Sequence, residues 1–205
     1  MALPFTYAVI ADALAALNRI SRETGFTGGL AVNVPPTALT TADFPDHVLG
    51  LLSAAGIGNS RLTIEITETS IPADPTLSLD IQTRLRMRGI RLSIDDFGTG
   101  HSSLERLHVT PFDEMKIDMV LVRGADRDMS LRKIAESAIA LGRNLSMTVV
   151  AEGVENAATL DWLARIGCDL AQGFHVAPPL RLEDLGGWAA SRAATALPAP
   201  ADGAP

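Results

Sequence analysis

Short apolar segments alternate with helical segments along most of this chain, and this alternation constrains the fold more than any other feature. Apolar runs too short for helices predict strands at residues 30–34, 61–66, 91–94, 114–117, 147–151 and 169–172. Apolar residues at helical spacing predict helices at residues 7–22, 43–55, 76–88, 129–144, 157–166 and 182–192, with a further short helix near Ser103. This order is typical of a parallel sheet whose strands are joined by crossover helices.

Repeated right-handed crossovers either close into a (β/α)8 TIM-like barrel or form an open doubly wound sheet, and the strand ends described below favour the barrel. Six strands are predicted, with a seventh at residues 175–177, and the pattern opens on a helix. We therefore expect an α/β barrel over residues 1–192 that is incomplete at its amino end. Residues 193–205, AATALPAPADGAP, cannot bury a core and predict a disordered tail.

Composition excludes several functional classes. The formal net charge of −7 argues against a surface for nucleic acid polymers. The single cysteine, Cys168, excludes an intrachain disulfide and a thiolate metal cluster. No apolar run reaches the roughly 18 residues of a membrane span, and the start lacks the basic region of a signal peptide. We expect no membrane partner and a cytoplasmic protein.

Polar residues follow nearly every predicted strand. They are Asn33, Glu65, the pair Asp95 and Asp96, Lys116 with Asp118, Glu152 and Gln172. One such residue is most often a helix cap or a turn residue. Six strand ends that all carry amide, carboxylate or ammonium groups instead indicate a site at the carboxyl-end mouth of a barrel, where barrel enzymes keep their active sites.

Crowded carboxylates repel one another unless cations lie between them. Oxygen ligands without thiolate or imidazole favour Mg²⁺ or Mn²⁺ over zinc. The adjacent Asp95 and Asp96 suit two ions roughly 3.5–4 Å apart, as in phosphodiesterases that use two metals to make a hydroxide and to hold phosphate oxygens in line. Lys116 could stabilise charge on the phosphorane or orient the attacking water.

Six motifs occur in an order that resembles the EAL-domain family of cyclic di-GMP phosphodiesterases. They are AVNVPP (31–36), EITET (65–69), DDFGTGHSSL (95–104), MKID (115–118), VVAEGVEN (149–156) and DLAQGFHVAPPL (169–180). The resemblance implies an EAL-type TIM barrel that hydrolyses cyclic di-GMP to linear pGpG with two Mg²⁺ or Mn²⁺ ions. It also implies a homodimer or an upstream sensory domain as partner.

The resemblance assigns a role to each matching residue. Asn33, Glu65, Asp95 and Asp96 would bind the metal ions, whereas Lys116, Glu152 and Gln172 would be catalytic. Glu68 would anchor the loop at residues 97–103, in which Gly98 and Gly100 permit bending. Asp118 and Glu155 are additional candidates.

One departure from the family leaves alternatives open. The family opens on a strand that bears Glu-Ala-Leu, whose Glu is a metal ligand, and a nearby substrate-binding Arg; neither is found here. The chain is therefore either an active phosphodiesterase whose strand comes from elsewhere, or an inactive module that binds cyclic di-GMP or a protein partner. A weaker third reading is a generic metal-dependent barrel lyase.

Overall fold

The computed structural model describes residues 2–68, 75–98, 107 and 109–193. Six parallel strands form one curled half-barrel in the sequential order β1 to β6. Their bounds are β1 (Leu30–Asn33), β2 (Leu62–Thr67), β3 (Arg91–Phe97), β4 (Glu114–Ile117), β5 (Thr148–Ala151) and β6 (Leu170–Ala171). Within the described residues, β1 and β6 each have a strand partner on one side. The predicted α/β class and TIM-like architecture are confirmed.

The helices connect these strands and cover one face of the sheet. They are α1 (Ala2–Thr24), α2 (Phe44–Ala55), α3 (Pro75–Met87), α4 (Met119–Gly124), α5 (Met129–Asn144), α6 (Ala157–Arg165) and α7 (Leu182–Ala193), with 3-10 turns at Pro36–Thr40 and Asn59–Arg61. Side-chain caps set three of the starts: Asp118 accepts from the Val120 amide at 2.7 Å, Asp128 from the Ser130 amide at 2.7 Å, and Asn156 from the Thr159 amide at 2.8 Å. None of the helices in the described part of the chain is both long and apolar enough to cross a membrane.

The central strands are buried on both faces, which explains why their sequences are continuous apolar runs without alternation. Ile64, Ile66 and Leu92 are fully buried between the barrel interior and the helices. From the helical layer, Ile10 and Leu14 of α1 are equally buried in the same core. This packing holds the strands in a fixed register.

The register brings the carboxyl ends of the strands to one edge. Asn33 of β1 lies opposite Glu65 of β2, and Thr67 of β2 lies opposite Asp95 of β3. Between β3 and β4 the register shifts over residues 94–97, so β3 carries a bulge there. The polar residues predicted at the strand ends are therefore neighbours across the sheet.

Two predictions of local structure are wrong, and others concern residues outside the described ranges. Residues 175–177 form a turn, because the amides of Val176 and Ala177 donate to the Gly173 carbonyl, so the seventh strand is wrong. Asp95 and Asp96 lie within β3 and not after it. The short helix near Ser103 and residues 194–205 of the predicted tail fall outside the described residues, as does Gly100.

Candidate metal centre

Four neighbouring strands deliver one charged side chain each to a common point. Glu65 lies in β2, Asp95 in β3 and Lys116 in β4, while Glu152 directly follows β5. The Glu152 amide donates to the Ile117 carbonyl at 3.0 Å, which extends the β4–β5 ladder by one residue and fixes where the Glu152 side chain begins. The strand register therefore positions all four groups on rigid backbone.

Lys116 is the centre of this cluster. Its Nζ lies 2.7 Å from Glu152 Oε1, 3.0 Å from Asp95 Oδ1 and 3.1 Å from Glu65 Oε1. Lys116, Asp95 and Glu65 are each 6–7 % exposed, so these ion pairs are shielded from bulk water. The sequence predicted that these residues share a site, but it did not predict that one ammonium would join three carboxylates.

The bulge in β3 explains how two consecutive aspartates reach one site. Successive side chains of a regular strand point to opposite faces. Asp96 instead adopts φ 58°, in the left-handed region that residues other than glycine seldom occupy, and its amide donates to Asp95 Oδ1 at 3.1 Å. As a result, oxygens of Asp95, Asp96 and Glu152 lie within 4.8 Å of one another. Strain of this kind is typical of functional sites.

The electrostatics reflect four carboxylates around one ammonium. Burial raises the pKa of Glu65 and of Glu152 above the ordinary value, although the charge and hydrogen bonds of Lys116 act in the opposite direction. Burial, followed by the negative charges of Asp95 and Asp118, raises the pKa of Asp96. Burial alone would lower the pKa of Lys116, but hydrogen bonds to Glu152 and Asp95 and the charge of Glu65 raise it.

The group formed by Asp95, Asp96 and Glu152 fits a hard divalent cation. All three offer carboxylate oxygens, and no histidine or cysteine belongs to the group within the described residues. Oxygen donors of this kind suit Mg²⁺, Mn²⁺ or Ca²⁺. Glu152, to which the family resemblance gave a catalytic role, is thus placed among the oxygens that could hold a metal.

The other predicted residues near the centre form hydrogen bonds with neighbouring residues. Asn33 Nδ2 donates to Glu65 Oε2 at 3.0 Å and thereby orients that carboxylate. Asp118 is buried and caps α4, because its Oδ1 accepts from the Val120 amide at 2.7 Å. Glu68 is buried and accepts at 3.2 Å from the amide of Gly98, which has φ 105°. The role of Glu68 as the anchor of the loop at residues 97–103 stays a prediction, since residues 99–103 lie outside the described part of the chain.

Two predicted residues are not brought into the cluster. The Gln172 side chain is exposed, and its backbone bonds to Ala151 and Val154 hold the turn after β6. Glu155 forms an ion pair with Arg123 at 2.7 Å, with about half of each side chain exposed. This contact of Arg123, on α4, was not predicted, since a lone Arg in a helix carries no spacing signal.

Comparison with known proteins gives a consistent match. The family model described as EAL domain matches residues 1–179. The bifunctional diguanylate cyclase/cyclic di-GMP phosphodiesterase MucR of Pseudomonas aeruginosa is 38 % identical over 156 residues, 76 % of this chain and 23 % of MucR. Its phosphodiesterase in complex with c-di-GMP superimposes with a TM-score of 0.83 at 33 % identity, covering 89 % of this chain and 74 % of that one.

Two further proteins give similar matches. The cyclic di-GMP phosphodiesterase RocR of P. aeruginosa is 36 % identical over 151 residues, 74 % of this chain and 38 % of RocR. The manganese/cyclic di-GMP complex of Klebsiella pneumoniae BlrP1 superimposes with a TM-score of 0.72 at 31 % identity, covering 85 % of this chain and 45 % of that one. The chain spans 20–38 % of the length of the first curated relatives it matches.

Proposed function

Because the chain belongs to the EAL domain family, we propose that it hydrolyses cyclic di-GMP to linear pGpG with two divalent metal ions. The observation that carries the proposal is the meeting of Glu65, Asp95, Asp96 and Glu152 around Lys116 at the carboxyl edge of the sheet. Such a concentration of negative charge on rigid strands is costly for folding, and it suits a protein that binds cations there.

Asp95, Asp96 and Glu152 would hold Mg²⁺ or Mn²⁺ with Glu65 and Asn33 beside them. When bound, such ions supply positive charge to phosphate oxygens and a water acidic enough to attack at neutral pH. The hydrogen bond from Asn33 to Glu65 leaves the carboxylate oriented toward the centre of the cluster. The chain itself thus contributes a preorganised set of oxygens.

Lys116 and Glu152 would perform the protein's share of the chemistry. The reaction adds water to one phosphorus and breaks its bond to the sugar O3′, which leaves a 5′ phosphate and a 3′ hydroxyl. Glu152, whose carboxylate lies beside those of Asp95 and Asp96 and contacts Lys116, would receive the proton of the attacking water. The ammonium of Lys116 would then stabilise the negative charge that builds on the phosphate oxygens.

Gln172, Asp118, Glu155 and Glu68 would act at the margin of this site. Asp118 fixes the start of α4 directly after Lys116, and Glu68 ties the end of β2 to Gly98. Both contacts hold backbone close to the metal oxygens in place. Gln172 and Glu155 would contact the substrate from the exposed side of the barrel mouth.

The direct test measures conversion of cyclic di-GMP to pGpG by the purified chain with Mn²⁺. We expect metal-dependent turnover that Glu65→Ala abolishes. Glu183→Ala is the matched control, since Glu183 lies on α7 with 73 % of its side chain exposed. Absence of turnover in a folded, Mn²⁺-loaded sample would contradict the proposal, as would full activity of the Glu65 variant.

A second candidate function is recognition of cyclic di-GMP or a protein partner without hydrolysis. It is favoured by the edge strands β1 and β6, since the described residues give each a strand partner on one side and a free strand edge can capture another strand. A homodimer or an upstream sensory domain would be such a partner, in the cytoplasm. Tight binding of the nucleotide without turnover would distinguish this function from the first.

A further inference from the structure

The three hydrogens of the Lys116 ammonium match three carboxylates. An ammonium group has three N–H donors and no acceptor. Lys116 Nζ lies within 2.7–3.1 Å of one oxygen each from Glu152, Asp95 and Glu65. All three donors are therefore engaged, and none is left for a phosphate oxygen or a water molecule in this arrangement.

Two of these three carboxylates also belong to the group that fits a metal ion. Asp95 and Glu152 contact Lys116, and together with Asp96 they offer oxygens within 4.8 Å of one another. An ammonium and a divalent cation would therefore draw on the same two side chains. Since both are cations, they would also repel each other when held by the same carboxylates.

We propose that Lys116 serves as a stand-in cation that holds the carboxylates together until metal binds and then releases Asp95 and Glu152 to the metal. The release frees N–H donors on Lys116 for the phosphate group of a substrate. Metal loading would thereby switch Lys116 from a structural partner of the carboxylates to a group that can contact substrate. The inference rests on the proposed metal-dependent function.

The proposal predicts opposite effects of removing the ammonium on stability and on metal affinity. Lys116→Met leaves the buried carboxylates without their partner, so the metal-free protein should be less stable. The same change removes a competing cation, so Mn²⁺ should bind at least about tenfold more tightly, the equivalent of roughly 1.4 kcal/mol. A lysine that supports metal binding predicts weaker affinity instead, and one that acts solely on substrate predicts no change.

The chain offers a matched control, because it contains two lysines, Lys116 and Lys133. Lys133 is exposed on helix α5 and does not belong to the carboxylate cluster. Calorimetric titration with Mn²⁺ and thermal unfolding with and without Mn²⁺ would compare wild type, Lys116→Met and Lys133→Met. We expect tighter binding and a larger Mn²⁺-induced rise in melting temperature for Lys116→Met alone.

A second measurement uses the wild-type chain and does not depend on whether the Lys116 variant folds. Acylation of each lysine by an amine-reactive ester can be followed by mass spectrometry, with Lys133 as internal reference. We expect Mn²⁺ to accelerate acylation of Lys116 and to leave Lys133 unchanged, because release from two ion pairs exposes the amine.

The outcomes separate this inference from the proposed function. Mn²⁺ binding by wild type, with equal or weaker binding by Lys116→Met, overturns the stand-in role and leaves the metal-dependent function in place. Unchanged or slower acylation of Lys116 in Mn²⁺ also overturns it. If neither protein binds Mn²⁺, both proposals fail. Binding by Lys116→Met alone supports the stand-in role and contradicts the metal-loaded wild-type enzyme.

Discussion

Replacing Asp96 by Asn is expected to stabilise the metal-free protein and to weaken its binding of metal. The substitution removes one negative charge from a crowded group and keeps the size of the side chain. Asn also tolerates the left-handed backbone that position 96 adopts at φ 58°, so no new strain is introduced. The amide would moreover place a donor beside Asp118, where two carboxyl groups now face each other.

The magnitude follows from the separation of the carboxylates. Two unit charges 4.8 Å apart, the outer limit for the oxygens of Asp95, Asp96 and Glu152, repel by about 3 kcal/mol at an effective dielectric constant of 20 and by about 0.9 kcal/mol in water. Asp96 is partly exposed, and Lys116 offsets part of the repulsion. A net stabilisation of about 1–2 kcal/mol is therefore expected, which shifts the melting temperature upward by about 2–4 °C per kcal/mol in a chain of this size.

The metal effect has the opposite sign and should be larger. Loss of groups that merely orient metal ligands typically costs about 10–100-fold in affinity, so loss of a ligand itself should cost more. Urea unfolding in the presence of a chelator and calorimetric titration with Mn²⁺ measure the two quantities separately. Asp12→Asn is the control, because Asp12 is exposed on α1 and should leave both quantities unchanged.

Two results would refute this reasoning. A metal-free Asp96→Asn protein that is less stable than wild type would mean that Asp96 makes a favourable contact in the cluster and is not repelled by it. Unchanged Mn²⁺ affinity would mean that the bulge of β3 does not aim Asp96 at the metal. Turnover near the wild-type level would further remove Asp96 from the two-metal assignment.

Two further predictions concern packing and pH. Gly142→Ala should lower the free energy of unfolding in urea by about 1–2 kcal/mol, since its Cβ would lie 2.6 Å from Val149 Cγ2. Gly50→Ala, whose Cβ would have no atom within 4 Å, should instead raise it by about 0.5–1 kcal/mol. Equal increases for both variants would contradict the close approach of α5 to the sheet. The folded-state pKa values of Glu65, Asp96 and Glu152 are raised. These carboxyl groups therefore stabilise the metal-free fold at low pH, and that contribution is lost as pH rises through their folded-state pKa values. Mn²⁺ affinity should increase over the same pH range, because the carboxylates lose their protons. Unfolding and Mn²⁺ titrations from about pH 5 to about pH 8 test both trends, and a Mn²⁺ affinity that falls with rising pH would contradict them.

The sequence predicted the convergence of the site because parallel strands end at one edge. Glu65, Asp95 and Lys116 each follow an apolar run, so their meeting required nothing beyond the parallel order of the strands. The strand predicted at residues 175–177 was wrong because the sequence pattern there is not specific to a strand. An apolar stretch of that length does not distinguish a strand from a turn, and the bonds from Val176 and Ala177 to Gly173 decide the matter locally.

The bulge at Asp95 and Asp96 could not be predicted from sequence. No glycine marks the left-handed residue, and the register shift depends on how β4 pairs with β3. Likewise, the three ion pairs of Lys116 become visible when distances are known, because a lysine after an apolar run could equally point to solvent. The exposed Gln172 shows the same limit, since the two-residue strand β6 gives little information about the direction of the next side chain.

The cluster also explains why stability and metal binding should be linked in this chain. The sheet is held by apolar contacts between the strands and helices, none of which needs the four carboxylates. The carboxylates raise the free energy of the metal-free fold, and a single lysine compensates them in part. A divalent ion that binds the folded state stabilises it by mass action, by an amount that grows with the ratio of free metal to Kd. Metal concentration would therefore set both the stability of the folded chain and the availability of Lys116 for substrate.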